Sequence, residues 1–372
     1  MPNKPDQVKL VLLMGVPMSI CNLRCHYCYL SQRSSAYEGK QPQWRFTPEQ
    51  VALALSPERL GGHAFMNFCA DGETLLTKGL DEYIRLLLSQ GHYIEFVTNM
   101  TITSALSTYL SWDRELLGHL EFKCSFHYLE LKKRGLLDTF VRNVKAAWEA
   151  GASCNIEITP SDELIPFIDE VNAFSMEHFG ALPHLTIARN DRDPAITYLT
   201  GLDQETYDET WRQFDSGFWE FKRQLFGVKR TEFCYAGQWS MYVNFATGEA
   251  RQCYCGSPLG NLFADPTKPV RTEAIGKCLL PHCYNGHALL SLGLIPDLPA
   301  SGYGDLRDRE RTDGSHWLQP KLKAFFNTKL KDGNPRMRVM DEKLYFVKRR
   351  MKAKAKQAKR KVKRFLKNAA AR

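Results

Sequence analysis

Cys21, Cys25 and Cys28, in the run Cys21-Asn22-Leu23-Arg24-Cys25-His26-Tyr27-Cys28, have the spacing C-x3-C-x2-C. Three thiols this close together suit a metal centre better than a disulfide in a reducing compartment. Iron-sulfur clusters as a rule take four cysteines. Three thiolates on a four-iron cluster leave one iron open, as an open position separates a catalytic zinc from a structural one. A second set follows, with Cys234, Gly248 and Cys253 as C-x13-G-x4-C and Cys278 and Cys283 as C-x4-C. Four thiolates close a site, and thiolate count alone does not choose between iron-sulfur and zinc. Cys255 is an extra thiol, expected on the same strand face as Cys253, while Cys69, Cys124 and Cys154 are expected to be buried as small apolar residues.

The elements that must position these residues read as alternating strand and helix from Val8 to Asp191. Strands are predicted near 8–14, 64–70, 93–99, 120–127, 153–159 and 184–190. Helices are predicted near 47–56, 78–90, 104–117, 135–150 and 161–179, the first opened by Thr47-Pro48-Glu49. Six units make an α/β fold, a partial (β/α)6 TIM-like barrel, with its active end at the C-terminal ends of the strands. Period two sorts Lys123, Ser125 and His127 from Phe122, Cys124 and Phe126. It also sorts Asn155, Glu157 and Thr159 from Ile156 and Ile158, and Asn67, Cys69 and Asp71 from Met66 and Phe68. With helices covering the outside, a polar inner face implies a cavity built for a polar ligand. Beyond the barrel, Ser240 to Phe245 and Ala250 to Cys255 read as a hairpin about Ala246-Thr247-Gly248-Glu249. The expected organisation is a core over 1–200, a linking helix over 201–230, a small β-hairpin/helix domain over 231–300, an extension over 301–342 and a basic tail, helical or disordered, over 343–372.

The cysteine triplet with an aromatic, Tyr27, before its last member resembles the signature of the radical S-adenosylmethionine (SAM) superfamily. Cys69-Ala70-Asp71-Gly72-Glu73-Thr74-Leu75-Leu76 resembles that family's Gly-Gly-Glu-Pro segment; Ala70-Asp71 and Thr74 depart from it, so Gly72 and Glu73 are what transfers. Thr98-Asn99-Met100 resembles Thr-Asn-Gly, and Ser125-Phe126-His127 stands where many members have Ser-x-Asp. The resemblance covers about residues 8–191. It implies a four-iron, four-sulfur cluster on Cys21, Cys25 and Cys28, and SAM held by Tyr27, Gly72, Glu73, Asn99 and Ser125. It further implies reductive cleavage of SAM to a 5'-deoxyadenosyl radical that abstracts hydrogen from substrate, with a flavodoxin- or ferredoxin-type electron donor. His127, Arg189 and Asp191 are the residues expected to meet ribose, SAM carboxylate or substrate. The second set resembles the twitch domain, a shortened SPASM extension, although the full cysteine series is absent and the last pair is spaced x4 where x2 is commoner. That likeness implies an auxiliary four-iron cluster on Cys234, Cys253, Cys278 and Cys283.

The rest of the chain sets bounds. Its 372 residues are 44% hydrophobic and 24% charged, ordinary for a globular protein. No run approaches the roughly 20 apolar residues of a membrane span. The apolar run Val8 to Val16 is short and no small-residue cleavage site follows it, so a cytoplasmic location is expected. The net charge of +9 is uneven: Lys343 to Arg372 holds fourteen Lys or Arg and no acid, leaving 36 basic and 41 acidic residues elsewhere. Such a tail suits an anionic partner, a nucleic acid or a membrane surface. The leading expectation is an oxidoreductase performing a two-electron oxidation of a small molecule such as a sugar alcohol. Peptide, protein or RNA modification is the alternative within the same chemistry, and a zinc-stapled nucleic-acid-binding module is the alternative outside it.

Overall fold

The computed structural model describes residues 6–32 and 37–369. Nine strands form one sheet: β1 (Leu10–Val16), β2 (Ala64–Ala70), β3 (Tyr93–Thr98), β4 (Leu120–Ser125), β5 (Ser153–Ile158), β6 (His184–Leu185), β7 (Ser240–Asn244), β8 (Glu249–Arg251) and β9 (Pro258–Asn261). Their order is β6-β5-β4-β3-β2-β1-β7-β8-β9, parallel from β6 through β7 and antiparallel beyond. The first six strands and their crossover helices are the partial barrel expected from the sequence. The strand added to its first edge comes from the second cysteine region: Val11 faces Ser240 and Gly15 faces Asn244.

Local chemistry explains where elements start and stop. Thr47 caps the helix Pro48–Ala54 reciprocally with Gln50, and Pro48 sits in the first turn, where no N–H is missed. The stretch expected as one helix over 104–117 is two, Thr103–Leu110 and Arg114–Leu117, with Asp113 at the second start. The stretch 161–179 opens as a tight 3₁₀ segment, Asp162–Phe167, because Pro166 has no N–H to give an α-turn. β6 is only two residues long, not seven. After Thr186 the chain turns away from β5 and pairs instead with its own return, Arg189 against Tyr198. Likewise β8 ends at Arg251; Cys253 and Cys255 lie in the turn that follows, closed by Gly256 N–H to the Cys253 carbonyl at 3.0 Å, and not on a strand face. The stretch Trp317 to Lys331 contains Pro320–Phe326 and the start of Leu330–Gly333, and the basic tail is part of a 31-residue helix, Val339–Ala369.

The helix-facing side of the sheet is apolar, with Leu12, Met14, Met66, Phe68, Phe96, Phe122, Cys124 and Ile156 in one core. A second core under β1 gathers Val11, Leu13, Phe65, Tyr93, Tyr235, Trp239 and the aromatic residues Tyr303, Phe325 and Phe326 of the extension. His92 ties the barrel floor together. Its Nδ1 accepts from Ala64 N–H at 3.1 Å and its Nε2 donates to the Leu55 carbonyl at 2.8 Å, an arrangement only the neutral imidazole can make. Burial pushes its pKa down to about 4, below the ordinary 6.5. Because the folded value lies below the unfolded one, this contribution is fully present above pH 6.5 and lost as pH falls toward 4. The shift corresponds to about 3 kcal/mol. Urea unfolding from pH 7 to pH 4 is expected to show that decline, with a shallower slope in a His92→Gln protein; equal slopes would contradict it.

Candidate functional site

One cavity of about 800 Å³ opens at the C-terminal rim of the barrel, within the roughly 300–1,000 Å³ of small-molecule sites. Cys21, Cys25 and Cys28 line one wall; Cys283, Tyr284 and Asn285 of the second cysteine region line another. Between them lie Tyr27, Asn67, Cys69, Gly72, Glu73, Glu95, Asn99, Lys123, Ser125, His127, Arg189, Asp191 and Lys222, so all the expected rim residues border one space. Cys69 is a correction. It opens onto this cavity and is not packed as a small apolar residue, whereas Cys124 and Cys154 are fully buried. Desolvation inside the cavity pushes the Cys69 thiol up to about 11.

The cysteine loop is held from three sides. Gly72 donates its N–H to the Met18 carbonyl at 2.7 Å and Glu73 donates to the Ile20 carbonyl at 2.8 Å. The approach leaves no room at Gly72, where a Cβ would stand 2.1 Å from the Ile20 oxygen. Asn22, inside the triplet, donates to Thr101 Oγ1 at 2.8 Å and accepts from Asn99 Nδ2 at 2.9 Å. Glu130 accepts the Arg24 N–H at 2.9 Å. Asn99 therefore spends its side chain on the loop and on Thr101, while its N–H goes to Glu73 at 2.7 Å. Met100 stands where the family pattern has glycine and adopts a left-handed φ of 55°. The strain is borne because Asn143 binds its carbonyl at 2.8 Å and its side chain is fully buried.

The thiols themselves fit an iron-sulfur cluster. The Sγ of Cys21 accepts from Leu23 N–H at 3.4 Å; against that bond, burial first, then Glu73 and Cys28, push Cys21 up to about 11, and burial with the thiols of Cys28 and Cys21 beside it pushes Cys25 higher still. Buried thiols crowding one another are costly as thiolates until a metal centre supplies positive charge. The second set repeats this: burial and mutual repulsion raise Cys234 and Cys253 to about 12, and raise Cys278 and Cys283. Cys255 lies among them, in contact with Cys278. Among the described residues no three Cys, His, Asp or Glu converge tightly enough for a single metal ion.

Glu73 is buried and accepts from Leu75 N–H at 3.0 Å, Thr98 Oγ1 at 2.5 Å and Asn99 N–H, which leaves one acceptor position toward the cavity. Burial, ahead of these bonds, raises its pKa. His127 Nδ1 is hydrogen-bonded to the Tyr27 hydroxyl at 2.7 Å, and burial pushes the imidazole down to about 4, so it is neutral at pH 7. Arg189 and Asp191 approach at 3.7 Å, and Gln32 braces both through the Arg189 carbonyl and the Asp191 N–H, at 2.9 Å each.

The cavity floor escapes a reading by motif. Glu95, Glu121 and Glu157 point inward from three adjacent strands, and the fully buried Arg307 of the C-terminal extension reaches all three, with Glu121 at 2.7 Å, Glu95 at 3.4 Å and Glu157. Lys123 at 3.0 Å and Lys222 at 3.3 Å share Glu157, and Lys222 also donates to Thr186 at 2.8 Å. Burial pulls Lys222 down to about 7 against the pull of Glu157. Against the upward push of burial, Lys123, Lys222 and Arg307 hold Glu157 well below the usual range. Lys222 had a signal, a lysine at the i+4 position between Phe218 and Leu225 on a buried helix face. Arg307 had none.

The first six strands form the partial barrel expected from the sequence, and the residues that carry the resemblance stand in chain order around one rim. No protein-family model and no curated protein matches the chain. Among solved structures, Streptococcus suis SuiB, also solved bound to S-adenosylmethionine, aligns over 70% of this chain at 14% identity with a TM-score of 0.48, and this chain covers 64% of its length. Native anSMEcpe with bound AdoMet aligns over 70% of this chain and 80% of its own at 17% identity, TM-score 0.49. BtrN in complex with AdoMet and 2-DOIA aligns over 69% and 79% at 16% identity, TM-score 0.38.

Two substitutions test this architecture. Arg307→Met leaves buried carboxylates unmatched and is expected to destabilise the protein by about 3–5 kcal/mol in urea titration; a loss under about 1 kcal/mol would contradict the floor assignment. Gly72→Ala must displace Ile20, so iron retained at the first site is expected to fall well below wild type while the second site keeps its share; full retention would sink the proposed stitch.

Proposed function

We propose that this chain is a radical SAM enzyme. The observation that carries this reading is that the three-thiol set Cys21, Cys25 and Cys28 and one member of the second set, Cys283, line the same cavity. Cys21, Cys25 and Cys28 would hold a four-iron cluster with an open iron, and Cys234, Cys253, Cys278 and Cys283 an auxiliary one. When bound, the first cluster and SAM supply an organic radical able to take a hydrogen atom from an unactivated carbon.

The chain's own residues do the rest. Gly72 keeps backbone close to the cysteine loop, and Glu73 offers its remaining acceptor position to the methionyl amino group. Tyr27, fixed by His127, forms a wall suited to the adenine. Asn99 holds the loop through Asn22, Ser125 contributes a hydroxyl at the rim, and Arg189 and Asp191 face the same space as a paired donor and acceptor. Lys123, Lys222 and Asn285 present donors to a polar substrate, which favours a small hydroxylated molecule such as a sugar alcohol and, with the second thiol set beside it, a two-electron oxidation. A flavodoxin- or ferredoxin-type protein is the electron donor this chemistry needs.

Anaerobic reconstitution followed by iron analysis and chromatography is expected to give two clusters per chain and, with dithionite and SAM, 5'-deoxyadenosine. A Cys21, Cys25, Cys28 triple-Ala protein should hold one cluster and form none of that product. Product formation by the triple variant, or colourless zinc-loaded protein from both, would refute the assignment.

A further inference from the structure

The helix Val339–Ala369 is fastened to the body by one face of its first turns. Glu342 accepts from the Tyr235 hydroxyl at 2.7 Å, Tyr345 donates to the Ala274 carbonyl at 2.6 Å, Arg349 meets Glu273 at 3.3 Å, and Phe346 packs on Phe233 and Gly276. At 100° per residue these four positions share one side of the helix. The opposite side carries Met340, Leu344, Val347, Met351 and Val362, which are 73, 44, 54, 66 and 57% exposed. The sequence puts Ala355, Ala358, Phe365 and Leu366 on the same line, an arc about 100° wide.

Charge is sorted just as sharply. From Arg350 to Lys367 there are ten Lys or Arg and no acidic residue, and all ten positions fall outside the apolar arc. Lys354 and Lys361 follow one border of the arc, Lys352 and Lys359 the other. Past its anchored turns the helix continues for nineteen residues, about 28 Å.

A helix in water buries such an arc against its own protein, whereas this one turns its apolar line away from the body. Nucleic acid would use the charge and leave the line without a role. A bilayer span is excluded, since no helix among the described residues is long and apolar enough. An apolar strip bordered on both edges by long cationic side chains matches the boundary between acyl chains and anionic headgroups, where lysines extend from the strip to the phosphates.

We propose that the helix Val339–Ala369 docks the protein on an anionic lipid surface, its apolar line at the acyl boundary and its basic face among the headgroups. This does not depend on the chemistry in the cavity. The test is co-sedimentation of the full chain with phosphatidylcholine vesicles, with and without phosphatidylglycerol. Binding is expected only with the anionic lipid. Replacing Met351→Gln and Val362→Gln together keeps helix propensity and every positive charge, and is expected to weaken partition about tenfold or more. The melting temperature of the body should stay unchanged. Undiminished binding by that variant, binding that ignores phosphatidylglycerol, or binding of single-stranded RNA with no affinity for vesicles would each overturn the proposal.

Discussion

The parallel pairing of β1 with β7 is the constraint on which the site depends. β1 runs directly into the loop of Cys21, Cys25 and Cys28, and β7 opens the hairpin that leads to Cys253. Main-chain hydrogen bonds across this edge, continued by Phe245 N–H to the Gly15 carbonyl at 2.9 Å, set the two thiol regions against each other as rigidly as neighbouring strands of one sheet. Gly15 permits it: a Cβ there would stand 2.3 Å from the Tyr242 hydroxyl. A linker alone would let the second region sample many positions. A shared ladder does not.

Burying charge beneath the cavity is the second demand. Three carboxylates on β3, β4 and β5 meet Arg307, Lys123 and Lys222, and burial raises Glu121 and lowers Lys222, each to about 7, so charge is shed where it is not matched. A network of this kind is no stronger than well-packed hydrocarbon in stability terms, because desolvation offsets the attraction. Its value is a lumen that stays polar, with lysine donors positioned before a ligand arrives. Here the C-terminal extension acts as a structural part of the barrel, closing its floor with one guanidinium.

Much of this was legible in the chain because it is local. Strand and helix alternation, the period-two sorting of Lys123 and Ser125 from Phe122 and Cys124, and the motif order at strand ends all depend on residues close in sequence. What stayed hidden depends on distant partners. Arg307 meets Glu95, Glu121 and Glu157 across 150 or more positions, and the addition of β7 to the β1 edge is a tertiary pairing with no local mark. The brevity of β6 and the turn placement of Cys253 and Cys255 were missed for a related reason: a better hydrogen-bond partner elsewhere took the backbone away from an otherwise good strand sequence. Asn22 and Thr101 were passed over because a bonded triangle with Asn99 has no spacing signature.

The central claim is that two separate iron centres border one cavity, one beside β1 and one beside β7. Anomalous diffraction at the iron absorption edge from anaerobically grown crystals measures this directly. The account predicts two peaks, one within bonding distance of Cys21, Cys25 and Cys28 and the other amid Cys234, Cys253, Cys278 and Cys283, with the cavity between them. A single peak, or a signal that appears only at the zinc edge, would contradict it.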